Sequence, residues 1–138
     1  MINPVGDEDK YRNHFKHTPV AFFNGDVVIQ KRPKILLVEG EKKAIIMHKF
    51  GFSDSVAYPG LKTQEPLLAF LHDNGSTSQE IIYVPDPNTI DTIVAAGREL
   101  AKLGHTVKVV DLILKPDDFL LRYGRGRLEA AQKHARKV

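Results

Sequence analysis

Between Lys34 and Gly40 the chain reads KILLVEG, four apolar residues in unbroken succession with charge at either end. A strand with one wet face alternates apolar and polar side chains. One that is apolar at every position has to be covered on both faces, the situation of a strand in a parallel sheet flanked by helices. Three more β-prone segments follow, SVAY, EIIYVPD and HTVKVVDLIL. Helical patterns alternate with them. Apolar residues at 44, 45, 46 and 50 suit a helix from Glu41 that stops at Gly51. Thr63 with Pro66 opens a second, running to about His72. Thr89 stands where a cap belongs for a third, carrying Ile90, Ile93, Val94, Leu100 and Leu103 up to Gly104. KPDDFLLRYG then reads as a turn leading into a short fourth helix. Strand and helix alternating four times specify an α/β fold, a doubly wound sheet of four mainly parallel strands.

Ahead of this region, VAFFNGDVVIQ places Asn24-Gly25 between two β-prone runs and predicts an N-terminal β-hairpin. The expected organisation is an arm and hairpin over 1–33, the α/β domain over 34–123, and a basic helix or linker over 124–138.

A length of 138 residues suits one domain, and 42% apolar with 27% charged residues is the balance of a soluble globular chain. No apolar run approaches the roughly 20 residues of a membrane span, and MINPVGDEDKYRNHF lacks a secretory apolar stretch, so a cytoplasmic protein is expected. With no cysteine, disulfides, thiolate zinc sites and cysteine nucleophiles are excluded within this chain. His14 and His17 have a close spacing but read as surface residues, since nothing acidic or thiolate accompanies them. The net charge of +3 is unevenly placed: from Arg122 onward there are six Lys or Arg against one Glu. Such a tail is either a solvated helix face or a polyanion contact.

In an open parallel sheet, ligands sit beyond the carboxyl ends of the strands. Glu39 ends the first strand and Asp86 follows the third. Two carboxylates brought together there repel unless a positive charge lies between them, and a hard divalent cation with oxygen ligands satisfies both. A structural use of either acid, as a cap, is the competing reading.

LLVEGEKKAIIMHKFGF, SVAYPG and IIYVPDPNTIDTIVAAGRELAKLGHTVKVVDL occur in that order, followed by KPDDFLLRYG. Together they resemble the Toprim domain shared by bacterial-type DNA primases, phage and plasmid primase-helicases, topoisomerases and some nucleases. The resemblance runs from about Lys34 to Tyr123, and its EGEKKA variant is more similar to primase-like proteins of mobile elements than to topoisomerases. It implies a Toprim-like, Rossmann-like sheet holding magnesium or manganese for phosphoryl chemistry. Catalytic roles fall to Glu39, as metal ligand or general acid/base, and to Asp86, as first acid of a D-x-D motif. Asn88 stands where that motif's second aspartate would be, and Asp117 with Asp118 match a later acidic pair. Gly40 and Gly60 would let the backbone approach metal or phosphates, while Lys42, Lys43 and Lys62 would meet phosphate. Lys43 also stands where many housekeeping primases carry an acid. Arg122, Arg125 and Arg127 are candidate nucleic-acid contacts. Asp91 either compensates for Asn88 or sits in the first helical turn, where the helix dipole favours a negative side chain.

The resemblance implies three candidate functions. The first is magnesium-dependent nucleotidyl transfer for primer synthesis, with single-stranded DNA and nucleoside triphosphates as partners. No phosphate loop, zinc module or aromatic stacking series is visible, so a helicase or other replication domains would be needed. The second is a metal-dependent nuclease, and the third a nucleic-acid-binding module that kept the fold and lost the metal. No membrane partner is expected.

Overall fold

A computed structural model describes residues 22–138. Strands β1 (Lys34–Glu39), β2 (Ser55–Tyr58), β3 (Glu80–Tyr83), β4 (Thr106–Val109) and β5 (Arg136–Lys137) form one sheet in the order β2-β1-β3-β4-β5. The first four are parallel, β5 joins antiparallel at the β4 edge, and β4 alternates half-exposed Thr106 and Lys108 with buried Val107 and Val109 where β1 is buried on both faces. The helices are α1 (Asp26–Ile29), α2 (Glu41–Lys49), α3 (Gln64–Asn74), α4 (Ile90–Lys102), α5 (Pro116–Tyr123) and α6 (Arg125–Lys133).

The four apolar residues of β1 divide between two cores. Ile35 and Leu37 face the layer built from Leu67 and Leu71 of α3 and from Ile93, Val94 and Leu100 of α4. Leu36 and Val38 face Ala44 and Met47 of α2, Leu120 of α5 and Leu128 of α6. All four are at most 1% exposed. At about 1.5–3 kcal/mol for each side chain fully removed from water, this one strand is a main tie between the layers.

The expected N-terminal hairpin does not form. Asn24, at φ 60°, and Gly25 do make a turn, but the chain leaves it as the single-turn helix α1. A strand would send the neighbouring Val27 and Val28 to opposite faces, whereas the helical turn lets both enter the core, 3% and 0% exposed. The Asn24 amide donates to the carbonyls of Ser53 (2.9 Å) and Ser55 (3.1 Å), and Phe23 bridges antiparallel to Ala57, so the turn is anchored on β2. Val20 and Ala21 of that segment, with His14 and His17, lie outside the described residues.

Two other local expectations change. Thr89 stands at the cap position of α4, but its hydroxyl donates back to the Asp86 carbonyl (2.8 Å) and not to a helix N–H. The fourth strand is shorter than HTVKVVDLIL, because its pairing with β3 ends at Val109 while Val110 and Leu112 still bury their side chains. Segment 124–138 is packed onto this body. Leu128 is fully buried, and the Arg136 guanidinium donates to both Asp111 carboxylate oxygens at 3.1 Å. Among the described residues no helix is long and apolar enough to cross a membrane.

Candidate functional site

Strands β1 and β2 end together. The register pairs Glu39 with Tyr58, and β3 stops at Tyr83, opposite Leu37. The chain then runs Val84-Pro85-Asp86-Pro87, so Asp86 is bracketed by prolines and held extended at φ −62°, ψ 140°. A proline fixes its own φ and disfavours the helical region for the residue before it. Asp86 is thereby set rigidly at the sheet edge, just before a 3-10 turn over Pro87–Thr89.

Asp86 is only 7% exposed. Its Oδ2 lies 3.4 Å from Nζ of Lys43, on the first turn of α2, and its Oδ1 is buried with no hydrogen-bond partner among the described residues. The Tyr58 hydroxyl is likewise buried and unpartnered. Burial pushes the Tyr58 phenol far above its usual range, and the neighbouring Tyr83, Glu39 and Asp86 push it in the same direction. Tyr58 is therefore a neutral phenol within electrostatic reach of both carboxylates. Tyr83, also held neutral by burial, donates to Oε1 of Gln64 at 2.8 Å and packs edge-on against Tyr58.

Glu39 is half-buried at the mouth of this cluster, and a β-carbon placed on Gly60 would stand 3.8 Å from its Oε2. Gly60 itself is extended (φ 178°), so any residue could adopt its backbone. Gly40 differs: at φ 93°, ψ 135° it occupies a region that essentially only glycine enters without strain, facing open space. A cleft of about 250 Å³ opens here between Gly40, Glu41, Tyr58 and Pro59.

The structure thus brings together Glu39, Asp86 and Lys43, with Gly40 and Gly60 alongside. Lys42 and Lys62 are exposed on α2 and on the 3-10 turn Leu61–Thr63. Asn88 and Asp91 are exposed, the latter in the first turn of α4. Asp117, half-buried with an unpartnered Oδ1, and the exposed Asp118 open α5, which packs against α2. Among the described residues no three His, Asp or Glu side chains gather closely enough to hold a metal together. A hard cation nevertheless fits the donors at the strand ends, which are carboxylate oxygens, one of them buried without a partner. The expected basic contacts lie at the α5–α6 junction. Arg122 and Arg127 stack over the Tyr123 ring at 5.5 and 5.6 Å, and Arg125 lies over Phe52 while its Nε donates to Glu129 at 2.7 Å. Tyr58 was not anticipated. Its place as the last residue of SVAY, at the same sheet edge as Glu39, is the signal that could have found it.

No family model matches the chain, and no curated protein does. Among solved structures it is similar to a DNA primase domain from Pseudomonas aeruginosa, with TM-score 0.70 and 18% identity over 86% of this chain and 40% of that one. The Aquifex aeolicus primase, zinc-binding and RNA polymerase domains, gives TM-score 0.66 and 18% identity over 85% of this chain and 29% of that one. A DnaG primase catalytic domain bound to ssDNA gives 0.65 and 19%, over 78% and 35%. The chain spans less than half the length of each of these structures. At such identities the likeness is one of fold: the sheet and its helices have the Toprim-like α/β architecture of DNA primase catalytic cores.

Proposed function

We propose that this chain is the Toprim-like module of a DNA primase-like protein, taking part in magnesium- or manganese-dependent nucleotidyl transfer during primer synthesis on single-stranded DNA. The observation that carries the proposal is the placement of Glu39 and a buried, half-unsatisfied Asp86 at the carboxyl edge of a primase-like sheet, both within electrostatic reach of Tyr58. Glu39 and Asp86 would hold the ion. When bound, a divalent cation neutralises triphosphate charge and polarises the attacking oxygen. Gly40, without a β-carbon, leaves the backbone open to a phosphate, and the exposed Lys42 and Lys62 meet its charge. Tyr58, kept neutral, offers a hydroxyl donor at the same edge without adding negative charge.

Single-stranded DNA and nucleoside triphosphates are the partners this reading implies, with a helicase or other replication domains supplying template handling in the cytoplasm. The DnaG structure bound to ssDNA supports that choice of template by fold likeness. Two guanidiniums gathered at the Tyr123 ring support the α5–α6 junction as a phosphate contact.

A second reading, a binding module without catalysis, is favoured by the exposed amide of Asn88 at the second D-x-D position and by the lack of a three-acid cluster among the described residues. Calorimetric titration of manganese into the wild type and into Glu39→Gln with Asp86→Asn separates the two. Binding that disappears in the double variant upholds the metal-dependent reading. No binding in either leaves the binding module, tested by salt-dependent DNA affinity.

A further inference from the structure

We infer that Lys43 is a built-in cation of this site: its ammonium neutralises Asp86 where a second divalent ion would otherwise be needed, so the chain takes up one such ion and not two. The inference rests on the metal-dependent reading above and concerns how many ions that site holds.

Lys43 is an unusual residue for its position. It lies in the first turn of α2, where the helix dipole disfavours a cation, and its neighbours Glu41 and Lys42 are exposed. Lys43 instead turns inward. Its side chain is 16% exposed and ends 3.4 Å from Oδ2 of an Asp86 side chain that is 10% exposed. Placing both charges out of water costs solvation that their attraction has to offset, so the pair is kept as a pair: removal of either member leaves the other buried and uncompensated. The Asp86 carboxylate thus already has a counter-ion that cannot dissociate.

The surrounding donors agree with a single ion. Divalent cation affinity follows the number of negative ligands. With Asp86 matched by Lys43, Glu39 is the strand-end carboxylate whose charge is not cancelled by an ion pair among the described residues. Asn88 brings no charge, and no group of three acids among the described residues compensates for it. With one ion in the site, activity of the complete protein would depend on magnesium with first-order, not second-order, saturation.

The test is the stoichiometry of manganese binding by calorimetry, with far-UV circular dichroism to establish folding. It compares the wild type with Lys43→Met, which keeps the stem and removes the charge, Lys43→Asp, Lys43→Arg and Glu39→Gln. One ion per wild-type chain is expected, unchanged in Lys43→Arg. Lys43→Met should bind at least threefold more tightly, and Lys43→Asp should gain a second ion or bind at least tenfold more tightly. Lys43→Met preserves the test if Lys43→Asp fails to fold. Two ions in the wild type, or the same stoichiometry and affinity in wild type, Lys43→Met and Lys43→Asp, overturn the inference while leaving the metal site standing. No binding by any of these chains overturns the metal-dependent reading together with the inference.

Discussion

Nδ1 of His72, on α3, and Nε2 of His105, at the entry to β4, lie 2.9 Å apart, within hydrogen-bond distance. His105 is buried and its Nδ1 has no partner among the described residues, so charging it costs solvation with nothing to replace it. Burial, and secondarily the neighbouring His72, hold the His105 pKa below the ordinary histidine value. A base whose folded pKa is depressed takes up more protons unfolded than folded. Its neutral form is accommodated above about pH 6.5, and stability declines as pH falls below that value. Urea midpoints should therefore drop between about pH 7.5 and 5.5, and the drop should be smaller in His105→Gln. An equal drop in both chains would assign the pH dependence elsewhere.

The two glycines at the candidate site separate backbone strain from crowding. Gly40→Ala meets no neighbouring atom but forces a side chain onto φ 93°, and should cost about 1–2 kcal/mol. Gly60→Ala, on extended backbone with its nearest contact at an ordinary 3.8 Å, should stay within about 0.5 kcal/mol of wild type. Urea unfolding of both variants reads the difference directly.

Asn88 is exposed two residues beyond Asp86, so a carboxylate there is free to turn toward an incoming ion. Asn88→Asp should raise manganese affinity several-fold with little change in thermal unfolding. An unchanged affinity would remove position 88 from the ligand set.

The basic C-terminal segment carries structure as well as charge. Leu128→Ala should destabilise by about 2–5 kcal/mol, since Leu128 is fully buried against α2 and α5. Deleting everything after Tyr123 is for that reason a poor test of nucleic-acid contact. Arg122→Ala with Arg127→Ala leaves the core intact, and should weaken single-stranded DNA binding and reduce its salt slope by roughly 1–2. Unaltered binding would make the α5–α6 junction a bystander.

The sequence makes β1 and β3 legible as apolar runs and β4 legible by its alternating Val107 and Val109, and it makes Glu39 and Asp86 legible because an acid closing such a run is conspicuous. Asn24-Gly25 misleads: the turn exists, but the conformation of the next residues is decided by where Val27 and Val28 can be buried, which depends on a core assembled from distant residues. Strand β5 has no apolar pattern to announce it, only Arg136 and Lys137, and is fixed by Asp111 and by its backbone pairing to Lys108 and Val109. The Lys43–Asp86 pair joins residues from two separate βα turns, a proximity that no local spacing encodes. Tyr58 reads as ordinary core until the register sets it beside Glu39.

The division of β1 between two cores acts as a vernier for the chemistry at its end. Even-numbered residues fit one layer and odd-numbered residues the other, so a slip of one position would exchange Leu36 and Val38 for Ile35 and Leu37 on every facing surface, and would also carry Glu39 to the wrong side of the sheet. Individual apolar residues of β1 can drift in identity without moving the carboxylate. Insertion or loss of a single residue cannot be absorbed there, and length changes are confined to the connections on either side.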